Sequence, residues 1–207
     1  MDRNPFGLRK EGRMRHSRVL FLALCLLALA VSAFADATAV VEHDFSKGVP
    51  AQWSTRQTLS IDGLTALGPF NEKNSAVPGK AELTLRGLPK RDYVLSFDLY
   101  LIGSWDSEGD KLADTFTLYD GNNGILLHMT EFPCAIENND ESRPVGHKGL
   151  VRTQLSEREL GYWVVPVRIA VESDSFTGET LKLVFWGKPT ARRVESWALA
   201  NVRLERP

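Results

Sequence analysis

The sequence predicts an all-β protein, an antiparallel β-sandwich of two sheets, preceded by a cleavable signal peptide helix. Three observations carry this. Apolar and polar residues alternate with a period of two along most of the chain, and turn-forming residues recur between the alternating runs. Near the start, one unbroken apolar run follows a basic stretch.

The apolar run covers residues 19–31 (VLFLALCLLALAV), about 13 residues. A comfortable membrane span needs roughly 20, whereas a signal-peptide core needs about 7–15. Arg9, Lys10, Arg13, Arg15 and Arg18 precede it, and Ala33-Phe34-Ala35 supplies the small-residue pattern that signal peptidase reads. Cleavage is therefore expected after Ala35, making 1–35 a signal peptide and 36–207 the mature domain. An uncleaved anchor is the competing reading. Leu24 stands before Cys25 where lipidation needs a small residue, and no paired arginines mark a twin-arginine signal. The basic region is long, and a start at Met14 would give a more conventional leader.

The leader holds six of the 25 Lys and Arg and two of the 26 Asp and Glu, leaving 19 against 24 and a net charge of −5. That balance argues against nucleic acid or an anionic membrane surface as partner, because both reward basic patches. It suits neutral polysaccharide, protein or divalent cations. Only Cys134 remains after cleavage, so no intramolecular disulfide forms, and a lone thiol behaves as a small buried hydrophobe.

The strands follow in order. In residues 81–86 (AELTLR) the apolar side chains occupy one face. Tyr93, Leu95, Phe97, Leu99 and Leu101 line one face of a long strand, with Ser96, Asp98 and Tyr100 on the other. Phe116 and Leu118 continue the pattern, and Ile125, Leu127 and Met129 resume it. Between them, Asp120-Gly121-Asn122-Asn123-Gly124 can supply the positive φ angles of a hairpin turn. Val165, Val167, Ile169 and Val171 form another strand, whose Pro166 implies an edge or a bulge. Leu181, Leu183 and Phe185 make the next, and residues 196–205 close the chain. Short strands separated by turn residues at this spacing imply two packed antiparallel sheets. Residues 133–161 interrupt the pattern with a loop-rich insertion, in which a short strand is expected at 150–154 and a helical turn at 156–160.

Chemistry is sparse. In residues 103–110 (GSWDSEGD), Asp106, Glu108 and Asp110 alternate like the first, third and fifth ligands of an EF-hand loop. Lys111 then occupies the glycine position and Thr117 the position of the bidentate glutamate, which excludes an EF-hand. Two readings stay open: a calcium loop of other geometry built on Asp106, Glu108 and Asp110, or a solvated acidic loop. Trp105 lies among polar residues. Exposed beside Asp106 and Asp110 it would stack on a sugar ring while the acids bond the hydroxyls; folded back, it would plug the end of the sandwich. Trp53, Trp186 and Trp197 are expected in core or sheet-edge packing.

Catalytic templates are missing. His43, His128 and His147 are scattered without an HExxH pattern, and no G-x-S-x-G elbow occurs. Glu42 and Asp44 begin an E-x-D-x-x-E pattern that Lys47 breaks, so no carboxylate pair for glycoside hydrolysis is displayed.

Several segments together resemble a group of secreted bacterial jelly-roll domains related to the concanavalin A-like and galactose-binding-like sandwiches. They are 44–48 (DFSKG) with Pro50 and Trp53, 67–70 (LGPF), 83–89 (LTLRGLP), 96–100 (SFDLY), 104–106 (SWD) and 195–202 (ESWALANV). The resemblance implies a jelly roll on a surface or extracellular protein, binding carbohydrate and often holding a structural calcium. The chain departs from the pattern at Ala200, where an aspartate is usual, and at Ser107, where glycine is. The functional expectation is a secreted, non-catalytic binding module for carbohydrate or another extracellular polymer, with no nucleic-acid partner and no membrane insertion after cleavage. A structural or adhesion protein contacting cell-surface proteins is the alternative, and a glycosidase or lyase stands behind both.

Overall fold

A computed structural model describes residues 39–107, 113–133 and 147–207. The expected leader with its expected cleavage site, Cys25, Cys134, Glu108 and Asp110 lie outside the described residues. The described chain is all-β, two antiparallel sheets packed face to face. Among the described residues no helix is long and apolar enough to cross a membrane.

The first sheet, sheet A, holds β1 (Ala39–His43), β2 (Thr58–Ile61), β3 (Leu64–Phe70), β5 (Tyr93–Ile102), β8 (Gly149–Arg152), β9 (Glu159–Val171) and β12 (Ser196–Glu205). Its order is β2-β3-β12-β5-β9-β8, with β1 also paired to β12. Sheet B holds β4 (Ala81–Arg86), β6 (Thr115–Asp120), β7 (Ile125–Met129), β10 (Phe176–Thr177) and β11 (Thr180–Lys188). There the order is β10-β11-β6-β7, with β4 on the other side of β11.

Alternation decides what faces inward. Tyr93, Leu95, Phe97, Leu99 and Leu101 of β5 meet Leu83 and Leu85 of β4, Phe116 and Leu118 of β6, and Leu183 and Phe185 of β11 in one buried core. Phe97 sets its edge against Phe185 at 5.3 Å, the T-shaped geometry that aromatic quadrupoles prefer. Trp53 and Trp197 join this core, as the sequence implies, while Trp186 is half-buried on the outer face of sheet B.

The hairpin expected at 120–124 forms. Asp120 Oδ1 accepts the backbone N–H of Asn122 and Gly124, and Asn123 takes the positive φ of 66°. Pro166 sits where β9 has outrun β8, which pairs only as far as Tyr162, so the flank away from β5 carries no ladder there. The loop-rich insertion needs correction within its described part. The short strand lies at Gly149–Arg152, and no helical turn forms at 156–160, because Glu159 and Leu160 already pair with β8 as the start of β9. Tyr162 and Trp163 thus belong to β9.

A second, smaller core lies on the outer face of sheet A. Leu59 and Ile61 of β2 bury with Ala66, Tyr100, Ile102, Val151, Leu160, Tyr162, Ala198 and Ala200. The turn between β2 and β3 leans over this face, and the Asp62 carboxylate reaches the Tyr162 hydroxyl on β9. One end of the outer face is closed in this way, and the other stays open.

Phe185→Ala is expected to cost about 3–5 kcal/mol, as a large ring leaving the core does. Ile125→Ser, at a side chain 63% exposed, is expected to change stability by no more than about 0.5 kcal/mol. Urea denaturation of the two variants checks the contrast.

Candidate functional site

Two features of the sandwich carry chemistry. The first is the loop after β5. Gly103 turns there at φ 86°, and a Cβ on it would stand 1.6 Å from the Val194 carbonyl oxygen, so only glycine fits. The turn sends Trp105 inward. This corrects the exposed sugar platform: the indole is fully buried, its Nε1–H donates to the Ser196 carbonyl at 3.1 Å, and Phe132 packs edge-on against it. A ring with no free face cannot stack on a sugar. The indole instead plugs the end of the sandwich, because there it fills the core while its one polar atom finds a carbonyl.

Beside the plug, Asp106 meets two acids that sequence reading does not single out. Asp106, Asp114 and Glu195 each place a carboxylate oxygen within 4.8 Å of the others. Asp114 Oδ2 accepts the Asp106 N–H at 2.7 Å, and its Oδ1 accepts the Thr190 N–H at 2.6 Å. Glu195 Oε2 accepts the Ala191 N–H at 2.6 Å, and Oε1 accepts the Ser104 hydroxyl at 3.2 Å. Asn71 Nδ2 donates to the carbonyls of Ala191 and Glu195, tying in the segment after β3. The acids therefore clamp the end of β5, the start of β6 and the approach to β12. Sequence distance hides this: Ser104 and Glu195 are 91 residues apart.

Burial dominates the electrostatics. It pushes Asp114 up to about 6, with the Asp106 charge adding and the N–H groups of Asp106 and Thr190 opposing. Glu195 is pushed up to about 8 by burial first and then by the Asp114 charge. Buried negative charge of this density needs a proton or a cation. Three hard oxygen donors at this spacing fit calcium better than a soft-ligand metal. Asp114 and Glu195 are 0% and 2% exposed, so neither can hand a proton to a substrate in solvent.

The second feature is a groove of about 520 Å³ at the open end of the outer face of sheet A. Ser96 and Asp98 of β5 make the floor, Asn201 and Arg203 of β12 one wall, and Pro166 and Arg168 of β9 the other. Between Ala200 and Arg203, β12 carries one residue more than β5 opposite it, and Asn201 occupies a φ of 50°. This bulge aims the Asn201 side chain at Asp98, whose Oδ2 accepts its Nδ2–H at 2.7 Å. Arg168 reaches across β5 to Glu205 at 3.0 Å, and Arg203 pairs with Glu42 on β1.

The remaining sequence candidates do not converge. Glu42 is spent on Arg203, and Asp44 holds a turn, with its pKa lowered by the Ser46 N–H first. His128 is exposed and bonded to Thr117 Oγ1 at 2.8 Å.

A β-sandwich with an acid clamp at one end and an open polar groove on one face is the class of protein that these features define. No protein-family model matches the chain, and no curated protein does. Solved structures resemble it partially. One is the CBM22-1 xylan-binding domain of Xyn10C from Paenibacillus barcinonensis, at 13% identity and TM-score 0.38, over 82% of this chain and 94% of that one. Another is the K3 cleaved adhesin domain of Lys-gingipain from Porphyromonas gingivalis, at 12% and 0.39, over 82% and 100%. A non-crystalline cellulose-specific carbohydrate-binding module, CBM28, matches at 18% and 0.35, over 82% and 93%. Likeness at this level assigns no ligand.

With divalent cations chelated, the raised acids make stability fall as pH rises. Asp114 and Glu195 bind their protons more tightly folded than at their ordinary values of 3.8 and 4.5. Their contribution is complete below those values and is lost as pH passes about 6 and then about 8. Melting temperatures in chelator should therefore decline across this range, and Glu195→Gln should flatten the upper part of the decline.

Proposed function

We propose that this chain is a secreted, non-catalytic binding module for carbohydrate or a similar polyhydroxylated polymer, held in the groove on the outer face of sheet A. The observation that carries it is the bulge that aims Asn201 at Asp98 on the groove floor. A sugar presents neighbouring hydroxyls that both donate and accept. Carboxylate, carboxamide and guanidinium groups answer such pairs with two atoms at fixed spacing. Asp98, Asn201, Arg168 and Arg203 supply all three kinds around one open trough. The arginines are already paired with Glu205 and Glu42, so the groove has no uncompensated positive charge and suits a neutral chain.

In the same reading, Asp106, Asp114 and Glu195 hold calcium at the end of the sandwich; Glu108 and Asp110 lie outside the described residues. The ion would brace the loops rather than touch the polymer. This replaces Trp105 and its neighbours by the groove as the ligand face.

Isothermal titration against soluble oligosaccharides selected on a glycan array tests the proposal. Asn201→Gly keeps the positive φ and removes the carboxamide; Asp98→Ala removes its partner. Each should weaken binding by about tenfold, the worth of a hydrogen bond to a charged or carboxamide group, with the far-UV spectrum unchanged. No binding of any saccharide by the intact protein, with and without calcium, would sink the reading. Added calcium should raise the melting temperature of the native chain but not that of an Asp114→Asn, Glu195→Gln variant.

A further inference from the structure

The aromatic cluster at the edge of the sandwich contains a hydrogen bond that one protonation state of a histidine allows and the other forbids. The Trp53 indole Nε1–H donates to His43 Nδ1 at 2.9 Å. An indole nitrogen only donates, so Nδ1 must be the bare acceptor and the imidazole proton sits on Nε2.

This bond joins the two sheets. His43 ends β1 of sheet A, opposite Val202 of β12. Trp53 belongs to a short strip laid along the outer edge of β4 in sheet B. It bridges to Leu83, Ser54 N–H donates to the Glu82 carbonyl at 2.9 Å, and Thr84 N–H donates to the Gln52 carbonyl at 2.9 Å. The indole is buried against Phe45 and Phe185, at 5.6 and 5.7 Å between ring centres. Between the two partners the chain turns through Phe45 at φ 59°, a left-handed conformation that a bulky residue adopts only when its surroundings hold it there.

The groups facing the imidazole from the packed elements are Val202 of β12 and the rings of Phe45 and Trp53, all uncharged. Glu42 and Asp44 flank it in sequence, both exposed; Glu42 pairs with Arg203 of β12, and Asp44 bonds Ser46. Lys47 lies exposed in the turn beyond. Burial without a facing carboxylate lowers the His43 pKa from its ordinary 6.5.

We propose that His43 and Trp53 form a pH-operated latch across the edge of the sandwich, closed by the neutral imidazole and opened by its protonation. A protonated Nδ1 presents an N–H to the indole N–H. Two donors cannot bond each other, and a half-buried cation is left without a partner. The strip that the indole pins is the one covering β4. Its release opens the Glu82 carbonyl and the Thr84 N–H to another partner and reshapes the trough of about 500 Å³ lined by Gln52, Trp53, Glu82, Thr84 and Arg86.

Nuclear magnetic resonance of the whole chain, between about pH 7.5 and about pH 5, tests the latch. His43 should show the Nε2–H tautomer and a midpoint below 6.5. The solvent protection of the Trp53 indole N–H should fall by about tenfold or more as His43 protonates, while the other indoles keep theirs. His43→Gln leaves an acceptor that does not titrate, and should make the protection independent of pH. Trp53→Phe keeps a ring but removes the donor, and should move the His43 midpoint up toward 6.5. Trp53 protection that stays constant through the His43 titration overturns the latch, as does a loss that persists in His43→Gln. Should either variant fold poorly, the titration of the native chain decides alone.

Discussion

Strand β12 has to satisfy three neighbours with one backbone: β5 along its length, β3 at its start and β1 at its end. Its inward residues are Trp197 and Leu199, then Val202 and Leu204, a spacing that breaks the period of two. Without an inserted residue, one of these pairs would face solvent, since a slip by one turns every later side chain over. The bulge at Ala200 and Asn201 absorbs that extra residue. Asparagine is suited to it, because its short polar side chain tolerates the left-handed region better than most. The same insertion points Asn201 at Asp98 and brings Val202 inward, opposite His43. The groove and the aromatic edge therefore depend on one local constraint.

The first half of β12 meets a different constraint, the burial of charge. Trp105 closes the end of the core and bonds the Ser196 carbonyl, which draws the chain after β5 against the approach to β12. Gly103 permits that approach and no larger residue would. Asp106, Asp114 and Glu195 are carried in with it. The oxygens of Asp114 and Glu195 collect backbone N–H groups that would otherwise be buried without partners at the loop ends, so they satisfy the loops even as the charges crowd.

Much of the fold was legible from alternation, because a half-buried sheet writes its burial into every second residue. The bounds of β12, the turn after Asp120 and the edge position of Pro166 all follow from such local rules. What was not legible depends on contacts between distant segments. The polar neighbours of Trp105 suggest exposure, yet they are the acids and serines of the clamp that surrounds the buried ring. Asp114 and Glu195 carry no spacing signal relative to Asp106. The groove residues read as an ordinary polar face, and only the broken phase of residues 197–204 (WALANVRL) hints that one of them is aimed.

The ionisable groups packed beside the two halves of β12 are driven by burial in opposite directions. At the aromatic edge burial favours the neutral imidazole, so acid strains that contact. At the clamp burial favours the neutral carboxyl, so acid relieves it while no cation is bound. A bound calcium would reverse the second response, because it needs the carboxylates ionised and competes with protons for them. With the ion in place, both halves of the strand would loosen together on acidification; without it, they would oppose each other. The ion would thus decide whether the sandwich answers a fall in pH as one unit or as two.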